Sequence, residues 1–162
     1  LCKIFISSFL DKNAQLFIVG GGKNLHLYKQ KYACDKIKFK GSVFGKELID
    51  IYHNSSVFVF PSSKEAWGLV INEAMSASLP IIAHKEVGAV HDLILRRDTG
   101  FIIENNNELE ARMLQMYTDN NLCQKQSENS INIMRTYWNY NLYKINLLEA
   151  LNKVTQWRLV QK

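Results

Sequence analysis

The chain has 162 residues, which is the size of one domain, since domains commonly contain about 100 to 200 residues. Hydrophobic residues make up 47% and charged residues 22%, an ordinary globular composition that argues against a disordered chain, a collagen or a coiled coil. The net charge of +5 suits an anionic ligand or an acidic membrane surface without selecting either.

Short apolar runs alternate with helical patterns along the first two thirds of the chain. Residues 1–10 have the spacing of the end of a helix. Five apolar runs, most of them followed by glycine, proline or a polar turn, predict strands over residues 15–20, 37–41, 56–63, 80–83 and 100–104. The segments between them predict helices over residues 25–33, 46–54, 68–78 and 87–94. From residue 108 to about 155 the pattern is helical, with breaks predicted near Asn120 and Asn139.

This order of elements predicts the fold class. The strand runs are continuous rather than alternating, as in strands buried on both faces. Successive strand–helix units with short connections predict a parallel sheet with right-handed crossovers. The chain is therefore predicted to be α/β, a single Rossmann-like domain over residues 1–162 with a doubly wound parallel sheet of about five strands and a helical C-terminal tail. Ligands of such sheets bind beyond the carboxyl ends of the strands.

The remaining composition bears on location and on metals. Cys2, Cys34 and Cys123 are odd in number and far apart, with no CxxC pair and no zinc pattern. They fit a reducing compartment, so we expect a cytoplasmic protein. The longest apolar runs are strand-sized, and neither a membrane span nor a signal peptide is expected. The histidines have no metal-binding spacing either, and no metal or cofactor is expected.

The segment VFVFPSSKEAWGLVINEAM carries the strongest functional signal. A predicted strand leads into a loop with Glu65, and Gly68 then begins a helix that contains Glu73. The free N–H groups of Leu69 and Val70 in the first turn, together with the helix dipole, favour an anion. Gly68 allows close approach of a ligand to the backbone. Glu73, about a turn and a half into the helix, is placed to accept hydroxyl hydrogen bonds from a ribose beside a bound phosphate.

Two glutamates eight residues apart are more often solvated surface residues than a site. Here the pair brackets a strand–loop–helix unit that contains a Pro-Ser-Ser stop and a glycine. This context favours a binding site.

The run PSSKEAWGLVINEAMSASLPIIA resembles the E-x7-E signature of retaining glycosyltransferases of the GT-B architecture, family 4 type, which have two Rossmann-like domains. Further pieces follow in the order of that family. LFIVGGG resembles its strand and glycine turn, IKFKGSV its V-x-F-x-G-x-V segment, VGAVHDLI its G-G-x-x-E-x-I turn, and DTGFII its G-x-L strand. By this resemblance, which covers nearly the whole chain, residues 1–162 would be the C-terminal, donor-binding half, lacking the first strand and the N-terminal acceptor domain.

The resemblance implies a role for each matching residue. Glu73 would bind the ribose hydroxyls of a UDP- or GDP-linked sugar, and Glu65 would be the catalytic residue beside the donor sugar. Backbone contacts would come from two groups, the first near the base and the second at the diphosphate: Gly41, Ser42 and Val43, then Gly68, Leu69 and Val70.

The implied activity is transfer of a hexose-type sugar, with retained configuration, to a glycan or lipid-linked acceptor, as in surface polysaccharide synthesis. The family does not usually need a metal, and the sequence has no DxD motif. The isolated chain is expected to be inactive, because the acceptor domain forms the other wall of the cleft.

The sequence departs from the family pattern at several positions. The Arg and Lys that the family carries upstream for the diphosphate are not found in the chain. Ser78 stands where the family has a glycine, so a left-handed helix end is expected to cost about 1 kcal/mol. Ala89 replaces the second glycine of the G-G turn, and Asp92 replaces its glutamate.

Two other functions stay open, a non-catalytic scaffold or partner subunit that retains the fold, and a sugar-nucleotide epimerase of the same architecture. Seven lysines lie between residues 23 and 46, and the first interpretation is that they cover solvent-exposed faces of a helix and a strand. The alternative is a patch for anionic lipid that binds the protein peripherally to the inner face of a membrane. Aromatic and basic residues do not interleave as in RNA-binding proteins, so no nucleic-acid partner is expected.

Overall fold

The computed structural model describes residues 1–95 and 97–160, with the backbone alone for residues 158–160. All five predicted strands are present: β1 Leu16–Val19, β2 Ile37–Gly41, β3 Phe58–Phe60, β4 Ile81–His84 and β5 Gly100–Ile103. Helices precede, separate and follow them: α1 Cys2–Phe9, α2 Leu25–Tyr32, α3 Gly45–His53, α4 Leu69–Ser76, α5 Val90–Leu93, α6 Asn106–Thr118, α7 Asn120–Thr136 and α8 Tyr140–Val160. The predicted α/β class and helical tail are confirmed.

The strands form two parallel ladders, β1–β2 and β3–β4–β5. Leu16 lies opposite Ile37 in the first ladder, and Ile81 lies between Phe58 and Gly100 in the second. A doubly wound sheet has the strand order 3-2-1-4-5-6, with its first strand in the middle. The chain was predicted to lack that strand. Among the described residues, no hydrogen-bonded pairing joins the two ladders.

The core lies on both faces of the β3–β4–β5 ladder. On one face, Ile81 packs with residues of α4, α5 and α7, including Met75, Leu93 and Met134. On the other face, the next residue of the same strand, Ile82, packs with α1 and α6 in a cluster that contains Phe5, Phe9, Ile103 and Leu109. Strand β4 is therefore buried on both faces, as its continuous apolar run predicted.

Strand β2 does not follow that prediction. Ile37 is fully buried, but Lys38 and Lys40 are exposed, so burial alternates along the strand. The two lysines line an open cleft beside α2, so this face of the strand meets solvent. The prediction of two-sided burial is wrong for this strand and right for β4.

The helical tail divides where capping side chains begin new helices. Asn105, Asp119 and Asn139 each accept a hydrogen bond from the N–H three residues ahead, at 3.0, 2.9 and 2.9 Å. Such caps satisfy N–H groups that the first helical turn leaves free. The two predicted breaks, near Asn120 and Asn139, are confirmed. No helix among the described residues is both long enough and apolar enough to cross a membrane.

Candidate functional site

The loop after β3 and the turn after β4 are held together by their backbones. The Gly88 N–H donates to the carbonyl oxygen of Glu65 at 3.2 Å, and the Ala89 N–H donates to that of Trp67 at 2.9 Å. Gly88 has no space for a side chain, because a Cβ there would lie 2.1 Å from the carbonyl oxygen of Ala66. The backbone of Glu65 is thus fixed by the neighbouring strand's turn, while its side chain is partly exposed.

Helix α4 begins with an open amino end. Gly68 precedes the helix with φ 93° and ψ 61°, in the left-handed region that favours glycine. No side chain caps the helix, and its first turn contains no acidic residue. The first N–H of the helix to donate a backbone hydrogen bond is that of Ile71, which bonds to the Gly68 carbonyl oxygen at 2.8 Å. Among the described residues, the N–H groups of Leu69 and Val70 therefore have no acceptor. Leu69 is 70% exposed. Backbone N–H groups without an acceptor at a helix amino end are able to bind an anion.

Glu73 lies further along α4 and is exposed toward α3. The hydroxyl of Tyr52 donates to Glu73 Oε2 at 3.0 Å. Burial of Tyr52 and the neighbouring carboxylate together raise the pKa of Tyr52 well above its ordinary value, so the hydroxyl keeps its proton and remains a donor. Both side chains line a cavity of about 360 Å³ between α3 and α4, together with Gly45, Leu48, Ile49, His53, Ser76 and Ala77.

The segment after β2 lies against the glycine turn after β1. The Gly20 N–H donates to the Gly41 carbonyl oxygen at 2.7 Å, and Gly41 has φ 70°. A Cβ at Gly21 would lie 2.9 Å from Ser42 Oγ. Ser42 is exposed, whereas Val43 is buried. Of the residues predicted to approach the base, Ser42 is exposed to a ligand, and the buried side chain of Val43 fixes the segment to the protein.

The predicted site residues fall into three local groups at or just beyond the strand ends. Glu65 and Gly68 are neighbours, since Glu65 Cγ is 3.4 Å from the position of a Cβ on Gly68. Glu73 shares its cavity with Gly45, which follows Val43 by two residues. The roles assigned to these residues, and to Leu69 and Val70, stay predictions. No group of three or more potential metal ligands occurs among the described residues.

Two contributing residues were not assigned a role from the sequence. No local sequence pattern links the Tyr52 hydroxyl to a carboxylate 21 residues away. Gly88 carried a signal, because it is the retained glycine of the VGAVHDLI turn. Its contact with Ala66 is a long-range feature that this turn alone does not predict.

Comparison with known proteins identifies the family. Residues 3–133 match the family described as "Glycosyl transferases group 1". Sulfoquinovosyl transferase SQD2 of Arabidopsis thaliana is 31% identical over 118 residues, which cover 70% of this chain and 23% of SQD2. The capsular polysaccharide biosynthesis glycosyltransferase CapM of Staphylococcus aureus is 39% identical over 98 residues, covering 60% of this chain and 22% of CapM.

A solved structure agrees with the fold. HepE from Anabaena in complex with UDP-glucose superposes with a TM-score of 0.78 at 18% sequence identity, over 94% of this chain and 44% of HepE. The chain thus spans less than half the length of each of these proteins. The predicted family is confirmed: the chain belongs to the group 1 glycosyl transferases and has the fold of a GT-B C-terminal domain.

Proposed function

We propose that this chain is the donor-binding half of a retaining glycosyltransferase, which transfers a sugar from a UDP- or GDP-linked donor to a glycan or lipid-linked acceptor in surface polysaccharide synthesis. The observation that carries the proposal is the open amino end of α4, with Glu65 on the loop before it and Glu73 within it. The structure of HepE with UDP-glucose and the naming of CapM for capsular polysaccharide biosynthesis support the substrate classes.

The diphosphate of the donor would bind at the first turn of α4. The N–H groups of Leu69 and Val70 would donate to its oxygens. Gly68 itself is buried against Val87 and Glu65, so the close approach predicted at this glycine would have to occur at the two residues that follow it. The helix dipole adds about 0.3–2 kcal/mol for each negative charge near its amino end. As the sugar leaves the diphosphate, these fixed donors would stabilise the developing charge without having to reorganise.

The two glutamates would act on either side of that diphosphate. Glu73 would accept hydrogen bonds from the ribose hydroxyls, and a bond to a charged acceptor is worth about 1.5–3 kcal/mol. Glu65, on a loop whose backbone is fixed by Gly88, would lie against the donor sugar at the reacting carbon. The base would contact the backbone of Gly41, Ser42 and Val43.

The acceptor would be bound by an N-terminal domain outside these residues. We extend the proposal to a cytoplasmic enzyme that binds peripherally to the inner face of a membrane. Exposed lysines of α2 and β2, among them Lys29, Lys31, Lys38 and Lys40, support this extension.

Titration calorimetry of the full-length protein with UDP- and GDP-sugars tests the proposal. We expect one nucleotide class to bind, and Glu73→Gln to weaken binding roughly tenfold, because a neutral amide replaces the charged acceptor. Glu128→Gln on α7 removes the same charge from an exposed glutamate and serves as the matched control. Absence of binding by either class at millimolar concentration would contradict the proposal.

The variants also separate the alternatives. Unchanged function of the full-length protein with Glu73→Gln would favour a non-catalytic scaffold. Product analysis distinguishes a transferase, which yields a glycosylated acceptor and a nucleoside diphosphate, from an epimerase, which yields a second nucleotide sugar.

A further inference from the structure

We infer that Tyr52 is a positioning residue for Glu73, holding its carboxylate in the orientation that recognises the ribose of the nucleotide. This inference rests on the proposed function, because it takes Glu73 to be the ribose acceptor. Tyr52 itself touches neither the sugar nor the diphosphate in this scheme. Its effect on the ligand passes through the carboxylate.

Glu73 needs such a partner because its surroundings leave it free to move. Its side chain is exposed on α4, and an exposed glutamate populates several rotamers. Ordering a flexible side chain on ligand binding opposes that binding entropically. The hydrogen bond from the Tyr52 hydroxyl to Oε2, 3.0 Å long, selects one orientation before a ligand arrives.

Tyr52 can hold the carboxylate because its own ring is fixed. The ring is half-buried and packs edge-on against Phe58, with centroids 5.9 Å apart and planes at 61°. Phe58 in turn stacks on Phe60 at 5.9 Å and 17°. Phe60 is the last residue of β3, directly before the loop that carries Glu65. Tyr52 therefore ties Glu73 to the strand that also leads to the other glutamate.

The hydrogen bond leaves the carboxylate able to bind a ligand. An ionised carboxylate offers about four acceptor positions on its two oxygens. Tyr52 uses one position on Oε2, so Oε1 and the remaining positions can accept two hydroxyl groups. A tyrosine hydroxyl is protonated at neutral pH at its ordinary pKa of about 10, and burial and the Glu73 carboxylate raise the pKa of Tyr52 further, so the donor is present.

The site is also accessible beside this pair. Tyr52 and Glu73 both line the 360 Å³ cavity between α3 and α4, which Gly45 lines as well. A ligand whose base lies along residues 41–43 would reach the carboxylate from that cavity. Tyr52 therefore supports Glu73 at the wall of the cavity.

The test is Tyr52→Phe in the full-length enzyme, which keeps the ring and its packing but removes the donor. We expect KM for the nucleotide sugar to rise roughly three- to tenfold with kcat nearly unchanged, because the carboxylate would then have to be ordered when the ligand binds, a cost that ground and transition states share. Tyr143→Phe, on an exposed tyrosine of α8, is the matched control. Melting temperatures verify that each variant is folded.

A second readout separates positioning from general support of the fold. In the wild type, removing the ribose 2′-hydroxyl should weaken binding, because Glu73 loses a partner. In Tyr52→Phe, the affinity ratio between the nucleotide and its 2′-deoxy form should shrink toward one. In a Glu73→Gln background, Tyr52→Phe should change nucleotide affinity little, because the two residues act as a unit.

The outcomes are distinct for the two proposals. If Glu73→Gln weakens nucleotide binding but Tyr52→Phe alters neither KM nor the 2′-deoxy ratio, the role of Tyr52 is overturned and the proposed function stands. If Glu73→Gln itself has no effect on binding, the ribose role of Glu73 fails, and with it the inference.

Discussion

Gly88 lies where the turn after β4 meets the loop that carries Glu65. Its N–H donates to the Glu65 carbonyl oxygen, and the Ala66 carbonyl oxygen occupies the space of a side chain. Because the obstructing atom belongs to the backbone, a side chain could fit only if one of the two segments moved. The glycine therefore sets the distance between the turn and the candidate catalytic loop.

Gly88→Ala should destabilise the fold by about 1–3 kcal/mol, as overpacking of a closed contact does. Gly45→Ala is the comparison, because Gly45 has φ 58° but open space around its Cβ position, so only the left-handed backbone costs energy. Denaturant unfolding measures both variants. We also expect Gly88→Ala to lower transfer activity by displacing Glu65. A loss of stability equal to or smaller than that of Gly45→Ala would show that the two segments separate easily.

Helix α4 has left-handed residues at both ends, Gly68 before it and Ser78 after it, with φ 93° and 64°. At the carboxyl end, the Ser78 N–H donates to Met75 and the Leu79 N–H donates to Ala74, each at 3.0 Å. These two bonds form a Schellman motif, in which glycine is the preferred residue at the position of Ser78. The short helix is thus closed sharply before β4.

Ser78→Gly should stabilise the protein by up to about 1 kcal/mol, because glycine removes the left-handed strain, partly offset by its greater freedom in the unfolded chain. The hydrogen bond that Ser78 accepts from the Ser127 hydroxyl uses its backbone carbonyl and is retained. Ser76→Gly in the same helix should have the opposite sign, a loss of about 0.5–1 kcal/mol. Thermal or denaturant unfolding measures the stability of both variants. Destabilisation by Ser78→Gly would refute the strain argument.

Elements set by local sequence were predicted well. The apolar runs gave all five strands, although β3 is Phe58–Phe60 rather than 56–63, and the left-handed state of Ser78 followed from its place in the family pattern. Features set by contacts between distant segments were not predicted. The exposure of the β2 lysines depends on the open cleft beside α2, and the partner of Glu73 depends on how α3 packs beside α4.

Across the whole molecule, the candidate site is linked to the helical tail. The ring of Trp67, on the loop with Glu65, lies 5.3 Å from the ring of Trp138 between α7 and α8. The Trp67 indole N–H also donates to Asn72 Oδ1 of α4 at 2.9 Å. The loop that carries Glu65 therefore contacts both the turn of Gly88 and the helical tail. The sequence predicted the tail as helices but not this contact, which joins residues 71 positions apart.

The charge of the molecule is unevenly placed. Lysines of α2 and β2 are exposed around a cleft of about 570 Å³ that Lys29, Lys38 and Lys40 line together with Phe17. Nearby, Tyr28 on α2 is 53% exposed. Cations beside exposed aromatic rings suit the headgroup region of an anionic membrane, where each lysine contributes about 1 kcal/mol. The alternative is that these lysines are solvated surface residues, and vesicle binding distinguishes the two interpretations.

Sedimentation with vesicles makes that separation. We expect the full-length protein to bind vesicles that contain phosphatidylserine and to bind phosphatidylcholine vesicles much less. The pair Lys38→Gln and Lys40→Gln should weaken binding roughly tenfold or more, since two contributions of about 1 kcal/mol are lost. Lys144→Gln with Lys153→Gln on α8 removes the same charge elsewhere. If both pairs weaken binding equally, the effect comes from net charge rather than from this face, and if the wild type does not prefer anionic vesicles, the lysines of α2 and β2 are solvated surface residues.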